Sequence, residues 1–232
     1  MPSEGRWILS PVRLPIPPLQ PKVQTVRKRS TPILTKHGLP APARRDYDEI
    51  MGLKFTTSYF EDSLELLRYY KRLAERAMEQ VTDDQLFAAL DDESNSIAVI
   101  VKHMAGNMRS RWTDFLTSDG EKPDRDRDSE FVDPPATREA LLGTWEDGWS
   151  RVFHALEPLS DADLGRTVTI RGEAHSVMQA VNRQIAHYAN HVGQIVLLAK
   201  HLAGDRWESL SVPRNRSAEF NRKVAAGDAS QR

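Results

Sequence analysis

The 232-residue chain is 39% hydrophobic and 28% charged with a net charge of −1, which suits one globular domain and excludes a generally basic, nucleic-acid-binding surface. It contains no cysteine, which excludes disulfides, thiolate metal ligands and a cysteine nucleophile. No apolar run approaches the roughly 18 residues of a membrane span, and the first residues lack the order of a signal peptide. We therefore expect a cytoplasmic protein with neither nucleic acid nor membrane as a partner.

The first 52 residues are predicted to be a disordered, proline-rich basic extension. Residues 1–50 hold nine of the fourteen prolines, and their nine Lys or Arg outnumber four Asp or Glu, a net charge of +5. They lack the sustained apolar period that a packed segment needs. A solvated extension is favoured over one that touches RNA or an acidic surface.

Residues 53–205 show the apolar spacing of four long helices and one short one. Capping patterns and apolar periodicity predict helices over residues 58–80, 82–90, 95 or 96 to 116, 137–158 and 176–203. Gly204 should end the last helix, and residues 167–170 predict one short extended piece. Long helices without a run of strands favour an all-α four-helix bundle, followed by a polar C-terminal tail over 206–232.

The connection between the second and third long helices is unusually long and charged. Residues 118–136, SDGEKPDRDRDSEFVDPPA, contain ten charged side chains and three prolines. A structureless loop of this length inside a domain is typically functional or disordered. Two interpretations stay open, a functional rim or lid and a solvated loop.

Three histidines occupy matching positions on two of the predicted helices. His187 and His191 are four residues apart, so they lie about 40° apart on one helix, a spacing that lets two imidazoles share a metal ion. Both lie on the flank of that helix's apolar arc, and His103 lies on the equivalent flank of the second long helix. The pattern predicts one divalent metal ion, and the alternative is a set of hydrogen-bonded core histidines. The remaining histidines are interpreted as structural or surface residues: His37, His154, His175 and His201.

Polar residues near these histidines are candidates for substrate binding. Asn107 is in line with His103, and Arg111 falls within the apolar arc about two turns from it. Arg183 and Gln194 extend the flank of the fourth helix by one turn in each direction. A buried arginine must find a carboxylate, a carbonyl or a ligand anion, because an unpaired buried charge is costly. For the two arginines the alternative is a salt bridge to the acidic 119–130 loop.

Two segments of the chain resemble a known family. KHMAGNMRSRWTDFLTSDGEKPDRDRDSEF (102–131) and RQIAHYANHVGQI (183–195), with the helix spacing, resemble the DinB-like (YfiT-like) superfamily of bacterial proteins, in particular a branch described as a domain of unknown function. The resemblance covers residues 53–205. It implies an up-down-down-up bundle and a divalent metal on one histidine of the second helix, here His103, and two of the fourth, here His187 and His191.

The resemblance also implies a class of chemistry. Characterised members resemble metal-dependent transferases or isomerases that use a low-molecular-weight thiol. The expected function is thus a transferase that joins a small thiol to an electrophilic substrate, or a hydrolase, with Arg111 and Arg183 gripping carboxylates. Zinc, nickel, iron and manganese all accept imidazole ligands. The alternatives are a non-catalytic metal- or small-ligand-binding module and a dimeric helical scaffold.

The fourth helix has a second face, opposite the histidines, made of small residues. It consists of Ala186, Ala189, Gly193 and Leu197. Small residues at helical spacing let another helix approach closely, and a glycine within a helix costs about 1 kcal/mol relative to alanine. The face predicts either a homodimer or packing against another helix of the same bundle.

Overall fold

The computed structural model describes residues 56–229, which are mostly helical with one two-stranded antiparallel sheet. The predicted disordered extension, residues 1–52, lies outside the described residues. The helices are α1 (Tyr59–Met78), α2 (Asp83–Phe87), α3 (Ile97–Trp112), α4 (Arg138–Leu156), α5 (Val177–Ala203) and α6 (Ser217–Ala226). The strands are β1 (Thr167–Ile170) and β2 (Glu173–Ser176). None of these helices combines the length and apolarity that crossing a membrane requires.

The predicted helix starts are confirmed by side-chain caps. Thr82 and Ser176 each form a reciprocal capping box with the glutamine three residues later. The hydroxyls of Ser58, Ser96 and Thr137 each accept a hydrogen bond from the backbone N–H three residues on. These caps satisfy N–H groups that have no partner inside the helix, so the helices begin where a polar side chain can reach back.

Two predicted helix ends are wrong, and one strand was missed. Helix α3 ends at Trp112 rather than near Leu116, because Thr113 is extended, its hydroxyl donates to the Arg109 carbonyl at 2.7 Å, and Asp114 has a φ of 50°. Helix α2 ends at Phe87 rather than Leu90, because Ala88 is extended. The predicted extended piece at 167–170 is confirmed as β1, and its partner β2 follows after a tight turn.

The four long helices pack in a closed ring of contacts. Helix α1 packs against α5 and α4, and α3 packs against the same two helices. The largest fully buried side chains are Trp145 and Trp149 of α4 and Tyr188 of α5. Burying a large apolar side chain contributes roughly 1.5–3 kcal/mol, so these aromatic residues dominate the core.

The charged loop after α3 is fastened to the hairpin. The Asp119 carboxylate accepts hydrogen bonds from the backbone N–H groups of Arg171 and Gly172, each at 2.8 Å, and Gly120 N–H donates to the Thr169 carbonyl at 2.8 Å. At the far end of the loop, the Lys102 ammonium donates to backbone carbonyls of Ser129, Val132 and Asp133. The loop therefore lies against α3 along its length, and Asp128–Phe131 forms a 3₁₀ turn there.

The segment predicted as a polar C-terminal tail begins by packing on the helices. Trp207 and Leu210 lie against the core, and Gln80 exchanges two hydrogen bonds with the backbone of Glu208. Helix α6 follows, and it has no buried residue.

Candidate metal centre

The structure brings His103, His187 and His191 together. One ring nitrogen from each lies within 4.8 Å of the others, and the group could hold a metal ion. Helix α3 supplies His103, which is 4% exposed, and α5 supplies the two half-buried histidines. The ring of His103 lies 5.5 Å from that of His187 and 4.9 Å from that of His191, measured between centroids.

The pair on α5 has the spacing of two ligands of one ion. The Nε2 atoms of His187 and His191 lie 3.0 Å apart. Two nitrogens bound to one ion at about 2.0–2.1 Å are roughly 2.8–3.4 Å apart in octahedral or tetrahedral geometry. When both imidazoles are neutral, at least one of the facing nitrogens offers a lone pair. The pair on α5 therefore fits a divalent ion that accepts nitrogen ligands.

The other ring nitrogens of two histidines are held by acceptors. His103 Nδ1 lies 2.8 Å from Glu130 Oε2, and His191 Nδ1 lies 3.1 Å from Gln194 Oε1. Such outer partners fix the tautomer and the ring orientation, and they leave Nε2 free to bind a metal. The Glu130 carboxylate is itself held by Arg125 through two hydrogen bonds of 2.8 and 2.9 Å. Phe131 stacks on His103 with the ring centroids 4.6 Å apart.

The protonation states favour metal binding at neutral pH. Burial lowers the pKa of His187 to about 3 and also lowers the pKa of His191, so both imidazoles are neutral at pH 7. Burial alone would raise the pKa of Glu130, but hydrogen bonds from His103 and Arg125 hold that pKa below its usual value. Glu130 is therefore an ionised acceptor for the His103 ring.

The low pKa of His187 predicts how the metal-free protein responds to acid. Its folded-state pKa of about 3 lies below the ordinary value of 6.5, so the unfolded chain binds a proton that the folded chain does not. Stability should therefore fall as the pH drops from about 6.5 towards 3. We expect His187→Gln to flatten this decline in thermal unfolding with a chelator present, whereas His154→Gln, at an exposed position, should leave it unchanged. Equal declines in the two variants would contradict this assignment.

The histidines open into a cleft of about 400 Å³. The described residues that line it are His103, Asn107, Arg111, Arg125, Arg127, Phe131, Arg171, Arg183, Gln184, His187 and His191. Three of the four predicted substrate-binding candidates, Asn107, Arg111 and Arg183, are among them. The fourth, Gln194, lies outside the lining and contacts His191 instead.

Two of the lining candidates are already engaged inside the protein. Asn107 Oδ1 accepts a hydrogen bond from the Tyr188 hydroxyl at 3.2 Å, and that hydroxyl accepts one from Trp112 Nε1 at 2.9 Å. Arg111, which is 5% exposed, donates to the Gly120 carbonyl and to Glu121 at 2.9 Å. The salt bridge to the acidic loop, which the sequence offered as the alternative to ligand binding, is thus present for Arg111. Within the described residues, Arg183 makes no such bridge.

Sequence reasoning missed the residues that the charged loop contributes. Glu130 and Arg125 are both almost fully buried beside His103, although they lie in a stretch that looks solvated in sequence. Gly106 was a sequence signal for the contact with Glu130, because it is a glycine within an otherwise well-formed helix, three residues after His103. A Cβ atom at Gly106 would overlap Glu130 Oε1 and lie 2.7 Å from the carboxyl carbon, so the glycine makes room for that carboxylate.

Comparison with known proteins places the chain in a family. A family model described as protein of unknown function (DUF1572) matches residues 54–216. This span includes all three histidines, the charged loop and the hairpin. A comparison with curated proteins found no match. Because the model covers well over half of the chain, the protein belongs to the DUF1572 family.

Proposed function

We propose that the protein is a divalent-metal-dependent enzyme, a transferase that joins a low-molecular-weight thiol to an electrophilic substrate, or a hydrolase. The observation that carries the proposal is the group of three histidine nitrogens within 4.8 Å of one another at the wall of a cleft. Three protein ligands leave further coordination positions open, which is the pattern of catalytic rather than structural sites. When bound there, a divalent ion supplies the Lewis acidity that lowers the pKa of a thiol or a water molecule.

The chain's own residues prepare this site in three ways. Glu130 and Gln194 orient two of the imidazoles, and burial keeps His187 neutral so that its lone pair is available. Helix α3 and the loop close the inner side of the site, because His103 and Glu130 are both almost inaccessible to water. The outer side opens into the cleft. The chain has no cysteine, so a thiol substrate would come from solution.

We further propose that the ring of four long helices is a four-helix bundle of the DinB-like type. The contacts of α1 and α3 with both α4 and α5 support it. One histidine on α3 and two on α5 match the arrangement that the resemblance implies. The small hairpin and the pinned loop are additions to a plain bundle.

The activity can be tested with two model reactions on the metal-loaded full chain. In the first, the sulfur of glutathione or cysteine attacks 1-chloro-2,4-dinitrobenzene, a carbon–sulfur bond forms, chloride leaves with the bonding electron pair, and the thiol proton passes to solvent. In the second, 4-nitrophenyl acetate is hydrolysed to acetate and 4-nitrophenol. Turnover that requires both the metal and His187 supports an enzyme and identifies its class. Metal binding without turnover of either type favours a binding module, and the absence of metal favours a scaffold.

We also propose that the protein forms a homodimer through the small-residue face of α5. Ala186 and Gly193 are exposed, Leu197 is 67% exposed, and a Cβ atom at Gly193 would meet nothing within 4 Å in the described part of the chain. Ala189, the fourth residue of the face, is partly buried. Three of its four residues are thus exposed among residues 56–229, which favours a dimer over packing within the same bundle.

If the protein dimerises through this face, a substitution in the face should change its oligomeric state without changing metal binding. We expect Gly193→Trp to convert a dimer to a monomer, measured by light scattering, while the metal content stays unchanged. Gly143→Trp is the matched control, since Gly143 also lies in a long helix with open space around its Cβ position. A wild-type protein that is already monomeric would show that the dimer proposal is wrong.

A further inference from the structure

The cleft beside the histidines is lined by an unusual concentration of positive charge. Five arginines line it, Arg111, Arg125, Arg127, Arg171 and Arg183, and among the described residues no Asp or Glu does so. A cleft lined by one sign of charge concentrates ligands of the opposite sign. Apart from the three imidazoles, the lining therefore favours an anionic ligand over a neutral or cationic one.

In residues 56–229, fewer carboxylates pair with these arginines than there are arginines in the lining. Glu121 is shared by three arginines, with distances of 2.9 Å to Arg111, 3.2 Å to Arg125 and 3.3 Å to Arg171. Glu130 pairs with Arg125, which is thus bound to both carboxylates. The arginines retain a surplus of positive charge that a ligand can balance.

Two lining arginines stand largely without a partner. The Arg183 guanidinium makes no ion pair or hydrogen bond within residues 56–229, although its helix also carries His187 one turn away. In the same part of the chain, the half-exposed Arg127 guanidinium has only a 3.8 Å pair with the exposed Asp128, and it lies over the Phe131 ring. Both guanidinium groups are available to a ligand in the cleft. A planar guanidinium pairs with a carboxylate or a phosphate through two parallel hydrogen bonds.

Buried polar atoms without partners lie in the same wall. The Gln184 side chain is 3% exposed and lines the cleft, and its Oε1 makes no hydrogen bond in the described part of the chain. The Nε atom of Arg111 is likewise buried and unpaired there. Buried polar groups are normally hydrogen-bonded, so a ligand that carries a donor group beside Gln184 Oε1 would complete the set.

We propose that this wall of the cleft binds an oxyanion, a phosphate or carboxylate group of the molecule that reacts at the histidines. The proposal rests on the function proposed above and names its substrate class, an anionic small molecule with its reactive group directed towards the three imidazoles. Arg183 is the principal contact, Arg127 and Arg171 add charge, and Gln184 Oε1 accepts a hydrogen bond from a donor on the neighbouring part of the ligand. A cleft of about 400 Å³ accommodates a metabolite-sized molecule of this kind.

The test is a calorimetric titration of the full chain with inorganic phosphate and, separately, with succinate, at pH 7.5 and constant ionic strength set by chloride. The protein is first stripped of metal with a chelator, so that an anion cannot bind through an ion. We expect one anion per chain and a loss of about tenfold or more in affinity for Arg183→Gln, because a charged partner is removed. Arg72→Gln removes the same charge from an exposed position on α1 and should leave the affinity unchanged.

The outcomes separate the two anion types and the two proposals. Tighter binding of phosphate assigns a phosphate group, and tighter binding of succinate assigns a carboxylate; each supports the oxyanion site. The site is wrong if neither anion binds with a Kd below about 10 mM, or if Arg183→Gln behaves like Arg72→Gln. Zinc uptake is measured on the same variants. Anion binding without zinc uptake would support the oxyanion site and contradict the metal-dependent function. Zinc uptake without anion binding would contradict the oxyanion site alone.

Discussion

Replacing His187 with alanine is expected to abolish stoichiometric metal binding. The wild-type protein, purified without a polyhistidine tag, should carry or take up one divalent ion per chain, measured by elemental analysis. Loss of a direct ligand should cost more than the roughly 10–100-fold in affinity that follows loss of an outer hydrogen-bond partner. The variant should therefore contain almost no metal after dialysis. His191→Ala and His103→Ala should behave alike, because all three nitrogens share one site.

The matched control is His201→Ala, which lies on the same helix at an exposed position. It should keep the full metal content. Folding of each variant is checked by circular dichroism, since all three candidate ligands are at least half-buried. A wild-type chain that takes up none of zinc, nickel, iron and manganese would exclude the metal centre. So would a His187→Ala variant that retains its ion.

Adding a single methyl group at Gly106 is expected to disturb the metal centre without touching a histidine. A Cβ atom there would overlap Glu130 Oε1 and lie 2.7 Å from its carboxyl carbon, so the carboxylate must move away from His103. We expect Gly106→Ala to lower metal affinity by about 10–100-fold, the range for losing an outer partner of a ligating histidine. It should also lower stability by about 1–3 kcal/mol, because Arg125 loses a buried partner.

Glu130→Gln tests the same contact from the other side. The amide keeps the shape and one acceptor but loses the charge, so metal affinity should fall less than in Gly106→Ala. Gly143→Ala is the control for the glycine change, since its Cβ position is open. It should stabilise its helix by up to about 1 kcal/mol. Unchanged metal affinity in both Gly106→Ala and Glu130→Gln would show that Glu130 does not support the centre.

The histidine group could be predicted from sequence because it depends on two local regularities. His187 and His191 share a helix, so their spacing alone fixes their mutual position. His103 lies on the equivalent flank of another helix, and helices that pack by their apolar arcs bring such flanks together. The helix starts could be predicted for a similar reason, because a cap involves residues only three apart.

The outer part of the site could not be predicted in this way. Glu130 reaches His103 only because a loop of irregular backbone folds back onto α3, and its path depends on Asp119 binding the hairpin turn and Lys102 binding carbonyls. None of these contacts has a sequence period. The partners of the two arginines could not be predicted for the same reason. The carboxylate that pairs with Arg111 lies in that loop, whereas Arg183 has no such partner in the described part of the chain.

Lys102 and His103 are adjacent in sequence, yet both hold the same stretch of loop. The lysine ammonium binds the carbonyls of Ser129, Val132 and Asp133, and the histidine ring binds Glu130 between them. An ion that orders the His103 ring therefore also favours the docked position of the loop. By thermodynamic linkage, the docked loop strengthens ion binding by the same factor. A change that loosens the loop at Glu130 should therefore weaken ion binding at His103, and a bound ion should in turn hold the loop more firmly.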